Sequence, residues 1–269
     1  MWGSSFIFIA EALDAFRPGL IAFLRIALGA LAVSFAPAAR RPIEREDRKR
    51  IVLLGITWMS IPLLLFPIAQ LWIASSLAGM INGAMPLFAA LVAAFLLRRA
   101  PRGRQVAGLV LGFCGVVLLA LPALGEVSFQ ALGVGLALAA TVLYGLAANL
   151  AVPLQQKYGA LPVVFRAQVV AAIALLPAAA ISLPGSRFDL SSAGSVVMLG
   201  VFGSGLAFVA MATLVGRAGA TRGAVAIYFL PVVAILLGVV VRDETVEVVQ
   251  LAGMALVLLG AWLTSRRET

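Results

Sequence analysis

From position 51 to position 97 the chain carries no charged side chain, and it pauses only at a short uncharged turn near 71–73. A helix of about 20 residues reaches across the roughly 30 Å hydrocarbon core of a bilayer. Two such helices back to back constrain the fold more than any other feature. Similar apolar runs occupy 1–13, 18–36, 51–70, 74–97, 105–121, 131–153, 161–183, 191–215, 220–241 and 246–264. Barrel strands would be about 10 residues long and alternating, which these runs are not. With 63% hydrophobic and 12% charged residues, the chain has more apolar surface than a soluble core can hide. The expected fold is an all-α membrane protein with ten transmembrane helices. The run at 1–13 reaches only about 20 Å, so the first helix is read as short or truncated. A start lying further upstream is the preferred explanation; local thinning of the bilayer is the other.

The chain states one pattern twice. Pro86, Gln105, Gly108 and Gly115 recur at a constant offset of 145 as Pro231, Gln250, Gly253 and Gly260. Leu54-Gly55-Ile56 and Leu199-Gly200-Val201 share that register, and Trp2-Gly3 faces Tyr144-Gly145 at an offset of 142. The expected organisation is two five-helix halves, 1–125 and 126–269. An odd helix number per half inverts the second half. Loop charge supports this: with a cytoplasmic N-terminus, sixteen Lys and Arg fall inside, from Arg40 to Arg50 through Arg98–Arg104, Lys157, Arg166, Arg217, Arg222, Arg266 and Arg267. Only Arg17, Arg187 and Arg242 fall outside, which places both termini in the cytoplasm. Inverted repeats are a signature of secondary transporters, with the solute held near the midplane where the halves meet.

The net charge of +9 could indicate nucleic acid, but cytoplasmic loops account for it, and no nucleic-acid partner is expected. The chain has no histidine and a single cysteine, Cys114, inside an apolar run. Disulfides, haem and His- or Cys-ligated metals are excluded or nearly so, and no cofactor is expected. No basic segment precedes the first apolar run, so no cleavable signal peptide is visible.

Polar and aromatic residues at mid-depth are the candidates for contacting solute: Trp2, Ser4, Ser5, Trp58, Ser60, Asn82, Tyr144, Asn149, Ser204 and Tyr228. A buried amide costs free energy unless it is hydrogen-bonded, and Asn82 sits one turn before Pro86 on the same face. Pro86 and Pro231 each remove a backbone bond inside a helix, which shapes a cavity or merely kinks the packing. Trp2, Ser5, Trp58, Asn82, Pro86, Tyr144, Ser204, Tyr228 and Pro231 form the substrate-binding set. Helix-to-helix hydrogen bonding is the plainer role for any one of the polar members. Arg25 lies inside an apolar run, where a charge is rarely idle. It can bind a substrate carboxylate, but pairing with Glu11 or reaching outward is the favoured reading. No carboxylate falls at mid-depth, so facilitated flow or exchange is favoured over a proton relay. Gly79, Gly83, Gly108, Gly112 and Gly115 recur at small-residue spacing, which lets membrane helices approach closely. Trp72, at a run's edge, is read as an interfacial anchor.

Several of these stretches carry a family resemblance. Trp2-Gly3-Ser4-Ser5-Phe6 is similar to the first-helix motif of the drug/metabolite transporter superfamily, in its ten-helix EamA family. Leu24-Arg25-Ile26 resembles that family's second-helix arginine motif. Met85-Pro86-Leu87-Phe88 and Tyr228-Phe229-Leu230-Pro231-Val232 resemble its fourth- and ninth-helix proline motifs. The likeness runs along the whole chain. It implies a multi-pass transporter of the bacterial inner membrane, often an exporter of amino acids or other small metabolites. Two departures stand out. Met85 and Leu230 occupy positions where many members carry glutamate. Arg98-Arg99 stands where many have Gly-Glu, while the second half keeps an acid at Glu244. A membrane-embedded enzyme or a structural bundle remain the alternatives, but the first lacks a reactive constellation and the second does not call for an inverted repeat.

Overall fold

A computed structural model describes residues 1–96, 98, 100–101, 103–124, 129–211 and 227–265, and no strand occurs among them. The helices are α1 (Ser5–Leu13), α2 (Pro18–Ser34), α3 (Arg45–Ala69), α4 (Ser75–Leu96) and α5 (Gly103–Leu124). They continue as α6 (Phe129–Tyr158), α7 (Ala160–Ser182), α8 (Leu190–Met211), α9 (Leu230–Arg242) and α10 (Val248–Ser265). Seven of them, α3 to α8 and α10, are long and apolar enough to cross a membrane. The shorter α2 and α9 are also apolar, and α1 has nine residues. Arg99, Arg102, Arg217, Arg222, Arg266 and Arg267, used above for loop charge, lie outside the described residues.

Local chemistry sets the boundaries. Pro18 opens α2, where a missing N–H costs nothing. Asp189 caps α8 by accepting from the Ser192 N–H at 2.9 Å. Gly159 alone joins α6 to α7; its φ of +84° is one that a side chain would strain.

Regular helix is interrupted in four places. A π turn occupies Gly55–Ser60 in α3 and another occupies Met198–Leu206 in α8. The helix breaks at Gly83–Ala84 just before Pro86, and at Phe229 just before Pro231. Each proline denies a donor to the carbonyl four residues earlier, on Asn82 and Ile227. The π turns lie at helix crossings: a Cβ on Gly55 would meet Ala167 and Val170 of α7, and one on Gly200 would meet Arg25 and Leu28 of α2.

Close backbone approach holds the bundle together. Along α5 and α10, Gly108 faces Gly260 and Thr264, while Gly115 faces Gly253 and Val257, so the two helices run antiparallel. With lipid as apolar as the side chains, association rests on this intimate packing rather than on expulsion of water. Helices α4 and α9 cross where Gly79 meets Ala234 and Gly83 meets Pro231. Large apolar side chains such as Phe95, Ile181 and Val240 face outward, as contact with lipid requires.

Ionic groups gather at the two ends of the bundle. At one end Arg242 bridges Glu11 and Asp14 at 2.9 and 2.8 Å. At the other, Lys157 bridges Glu44 and Asp47, and the Tyr158 hydroxyl donates to Asp47 at 2.7 Å. Trp72 stacks on Phe129 with ring centroids 5.9 Å apart.

The acid that survives at Glu244 has a definite task. Ala74 precedes α4 and offers no capping side chain, so the loop after α9 supplies one. Glu244 accepts from the N–H groups of Ser75 and Ser76 at 2.8 Å each and from the Ser75 hydroxyl at 2.7 Å. Burial opposes the charged form, but these hydrogen bonds prevail and hold the carboxyl below its usual value. A depressed carboxyl stabilises the fold above the ordinary value of about 4.3 and loses that contribution as pH falls through the folded-state value. Glu244→Ala is expected to cost about 1 kcal/mol at neutral pH, the usual worth of a helix cap. Thermal denaturation in detergent checks this, and the difference from the unaltered protein should vanish in acid.

Candidate functional site

Arg25 sits at the centre of the bundle and is 7% exposed. Its Nε donates to the Ser204 hydroxyl at 2.8 Å and its Nη2 to the Ser5 hydroxyl at 3.4 Å. It neither pairs with Glu11, which Arg242 holds, nor reaches outward, so the favoured reading of this residue does not stand. Among the described residues no carboxylate contacts it.

The π turn of α8 builds the wall opposite. Its Gly203 carbonyl accepts from Trp2 Nε1 at 3.0 Å, and its Ser204 carbonyl accepts from Gln168 Nε2 at 2.7 Å. Gly29 admits this wall against α2, since a Cβ there would stand 2.8 Å from Ser204 Cβ. Phe208 lies between Trp2 and Trp58, edge-on to each with ring centroids 5.2 Å apart. Tyr144 stacks on Phe66 at 5.8 Å and interacts electrostatically with Arg25. Five expected residues, Trp2, Ser5, Trp58, Tyr144 and Ser204, thus come together around Arg25.

The remaining four, Asn82, Pro86, Tyr228 and Pro231, lie at the helix breaks. Asn82 is 8% exposed, and its Oδ1 has no partner among the described residues. Tyr228 donates its hydroxyl proton to the Ala261 carbonyl at 3.3 Å. Gly3 joins the two groups: beside Trp2 in sequence, it packs against the Leu230 carbonyl and Val233. Asn149 has a packing role, donating to the carbonyls of Ala89 and Gly145 at 2.9 and 3.0 Å. Ser4 bonds the Met1 carbonyl, and Ser60 is buried in the α3 π turn.

Two members were missed in the sequence. Gln168 is fully buried, and the signal was available: an amide in an apolar run, the rule that singled out Asn82. Phe208 gave no signal, because nothing separates it from the other fourteen phenylalanines' apolar surroundings except its place between two tryptophans. Two cavities of about 380 and 260 Å³ lie at the bundle's ends, beside Asp14–Arg17 with Pro184–Arg187 and beside Arg41 with Tyr158–Pro162.

Relatives sharpen the identity. The chain is 26% identical over 267 residues to an uncharacterized transporter of Archaeoglobus fulgidus, covering 99% of this chain and 95% of the relative. It is 27% identical to a probable terminal-alkyne amino-acid exporter of Streptantibioticus cattleyicolor, covering 99% and 90%. A crystal structure at 21% identity shares the fold with a TM-score of 0.66, covering 98% of this chain and 95% of the other. The model of the EamA-like transporter family matches residues 1–121 and again 131–266. A multi-pass helical bundle matched along nearly its whole length in this way belongs to the EamA-like transporter family.

Proposed function

We propose that the chain is a secondary transporter that exports amino acids or related small metabolites across a bacterial inner membrane. Access alternates between two inverted five-helix repeats, 1–125 and 126–269, with both termini in the cytoplasm. The observation that carries this reading is the pairing of irregularities around one buried polar cluster. A π turn and a proline break occur in each half at corresponding positions. The packing is reciprocal as well: Gly3 meets Val233 where Gly145 meets Phe88, and Gly108 meets Gly260 where Gly115 meets Gly253. A two-fold axis in the membrane plane accounts for all of these, and transporters of this build bind solute where the halves meet. The Streptantibioticus relative, named as a probable amino-acid exporter, supports amino acids as the solute class.

The substrate site is formed by Trp2, Ser5, Trp58, Tyr144 and Ser204, with Asn82, Pro86, Tyr228 and Pro231 at the helix breaks. Efflux of labelled amino acids from cells expressing the protein tests the reading. Asn82→Ala and Tyr228→Ala should each lower flux about tenfold, the worth of one hydrogen bond made to a bound solute. Unchanged flux in both variants would remove these residues from the site. Absence of flux of any solute in the unaltered protein would remove the transporter reading itself.

A further inference from the structure

We propose that Arg25 is the carboxylate anchor of this site, so that the transported solutes are small organic acids or zwitterions, amino acids foremost. The inference rests on the transporter reading and narrows it. A guanidinium stays charged in any protein environment and presents five N–H donors in a planar fork. At Arg25 the hydrogen bonds from Nε and Nη2 both go to neutral hydroxyls, and the Ser5 contact is long at 3.4 Å. A buried cation without a counter-ion is unfavourable, and a site that needed only packing would be served as well by an apolar side chain. A carboxylate supplies what is missing: a negative charge and two oxygens matched to the fork.

Glycine at 203 lets the α8 backbone come close to the guanidinium, since a Cβ there would stand 3.0 Å from the Ser5 hydroxyl and 3.8 Å from Arg25 Nη2. Gln168 is a second, independent observation. The Ser204 carbonyl can only accept, so the Gln168 nitrogen must face it, which leaves Oε1 as a buried acceptor with no partner among the described residues. A guanidinium held only by neutral hydroxyls and an unpaired acceptor on facing helices match the carboxylate and ammonium of an amino acid. The carboxylate displaces the Ser5 and Ser204 hydroxyls from Arg25, the ammonium takes Gln168 Oε1, and the rings of Trp2, Phe208 and Trp58 provide apolar surface for the side chain.

The test uses the full chain in proteoliposomes. A labelled mixture of the protein amino acids is compared with the labelled amines that correspond to them after decarboxylation. The acids should exchange and the amines should not. Arg25→Met should reduce acid flux about a hundredfold, the order found when one partner of a desolvated charge pair is lost. Arg25→Lys should recover part of it, and both should keep the unaltered protein's melting temperature. Amines moving as well as acids, acid flux surviving Arg25→Met, or flux of an uncharged solute without any acid would overturn the anchor while leaving a transporter. No flux of any solute would overturn both. If Arg25→Met fails to fold, the comparison of acids with amines on the unaltered protein still decides.

Discussion

Gly260→Ala is expected to cost the bundle about 3 kcal/mol, the upper end of the usual range for overpacking. The new methyl carbon would lie 2.5 Å from the Gly108 carbonyl oxygen, 2.5 Å from the Gly112 nitrogen and 2.6 Å from the Gly112 Cα. All three are backbone atoms, so no side chain can swing aside, and α5 must separate from α10 along its length. The measurable result is a large fall in melting temperature in detergent, with loss of the monodisperse peak on size exclusion. Gly135→Ala is the control: nothing stands within 4 Å of a Cβ there, and alanine is the better helix former. Equal melting temperatures for the two variants would show that the seam does not hold the bundle.

The second large effect is expected at the ionic ends. Lys157→Glu places a third acid against Glu44 and Asp47, and Arg242→Glu does the same against Glu11 and Asp14. Partly exposed pairs contribute little singly, but reversal replaces two attractions with two repulsions. If access alternates, that reversal moves the balance of open and closed ends by about tenfold. A cysteine at Ser204 in a Cys114→Ser background reports it through a membrane-impermeant maleimide. Lys157→Glu should speed labelling from one face, Arg242→Glu from the other, and net flux should fall in both. The Lys157 end should respond more strongly, because the Asp47 side chain is only 7% exposed and cannot turn to water for relief. Labelling unchanged from either face would show that neither cluster closes the bundle.

Much of the fold was legible because the bilayer leaves few choices. The runs at 74–97, 161–183 and 246–264 lie within a few residues of α4, α7 and α10, since an apolar stretch of that length has one stable form in lipid. The glycines of α5 were legible for the same reason, their spacing alone implying close approach. The π turns at Gly55–Ser60 and Met198–Leu206 were not. They arise where one helix must pass another, and no residue type signals a widened turn. Arg25 was misjudged because sequence distance put Glu11 within its reach, whereas the fold gives Glu11 to Arg242 across a separation of 231 residues. Asn149 and Asn82 looked alike in the sequence. Only packing separates the first, with both protons of its amide group donated to carbonyls, from the second, whose oxygen is unpaired.

The seam of α5 and α10 carries one more consequence. Backbone locked into backbone at Gly108–Gly260 and again at Gly115–Gly253 resists lengthwise slippage, because any shift sets the larger neighbours Leu118 and Val257 against positions that admit only hydrogen. An elevator stroke, in which one half carries its cargo along the membrane normal past the other, is therefore disfavoured. Tilting about the seam is not, since it leaves these contacts in register. If access alternates as proposed, the cargo stays at one depth while the walls move around it, and the roughly 15 Å on either side are opened in turn by rocking rather than travelled by the site.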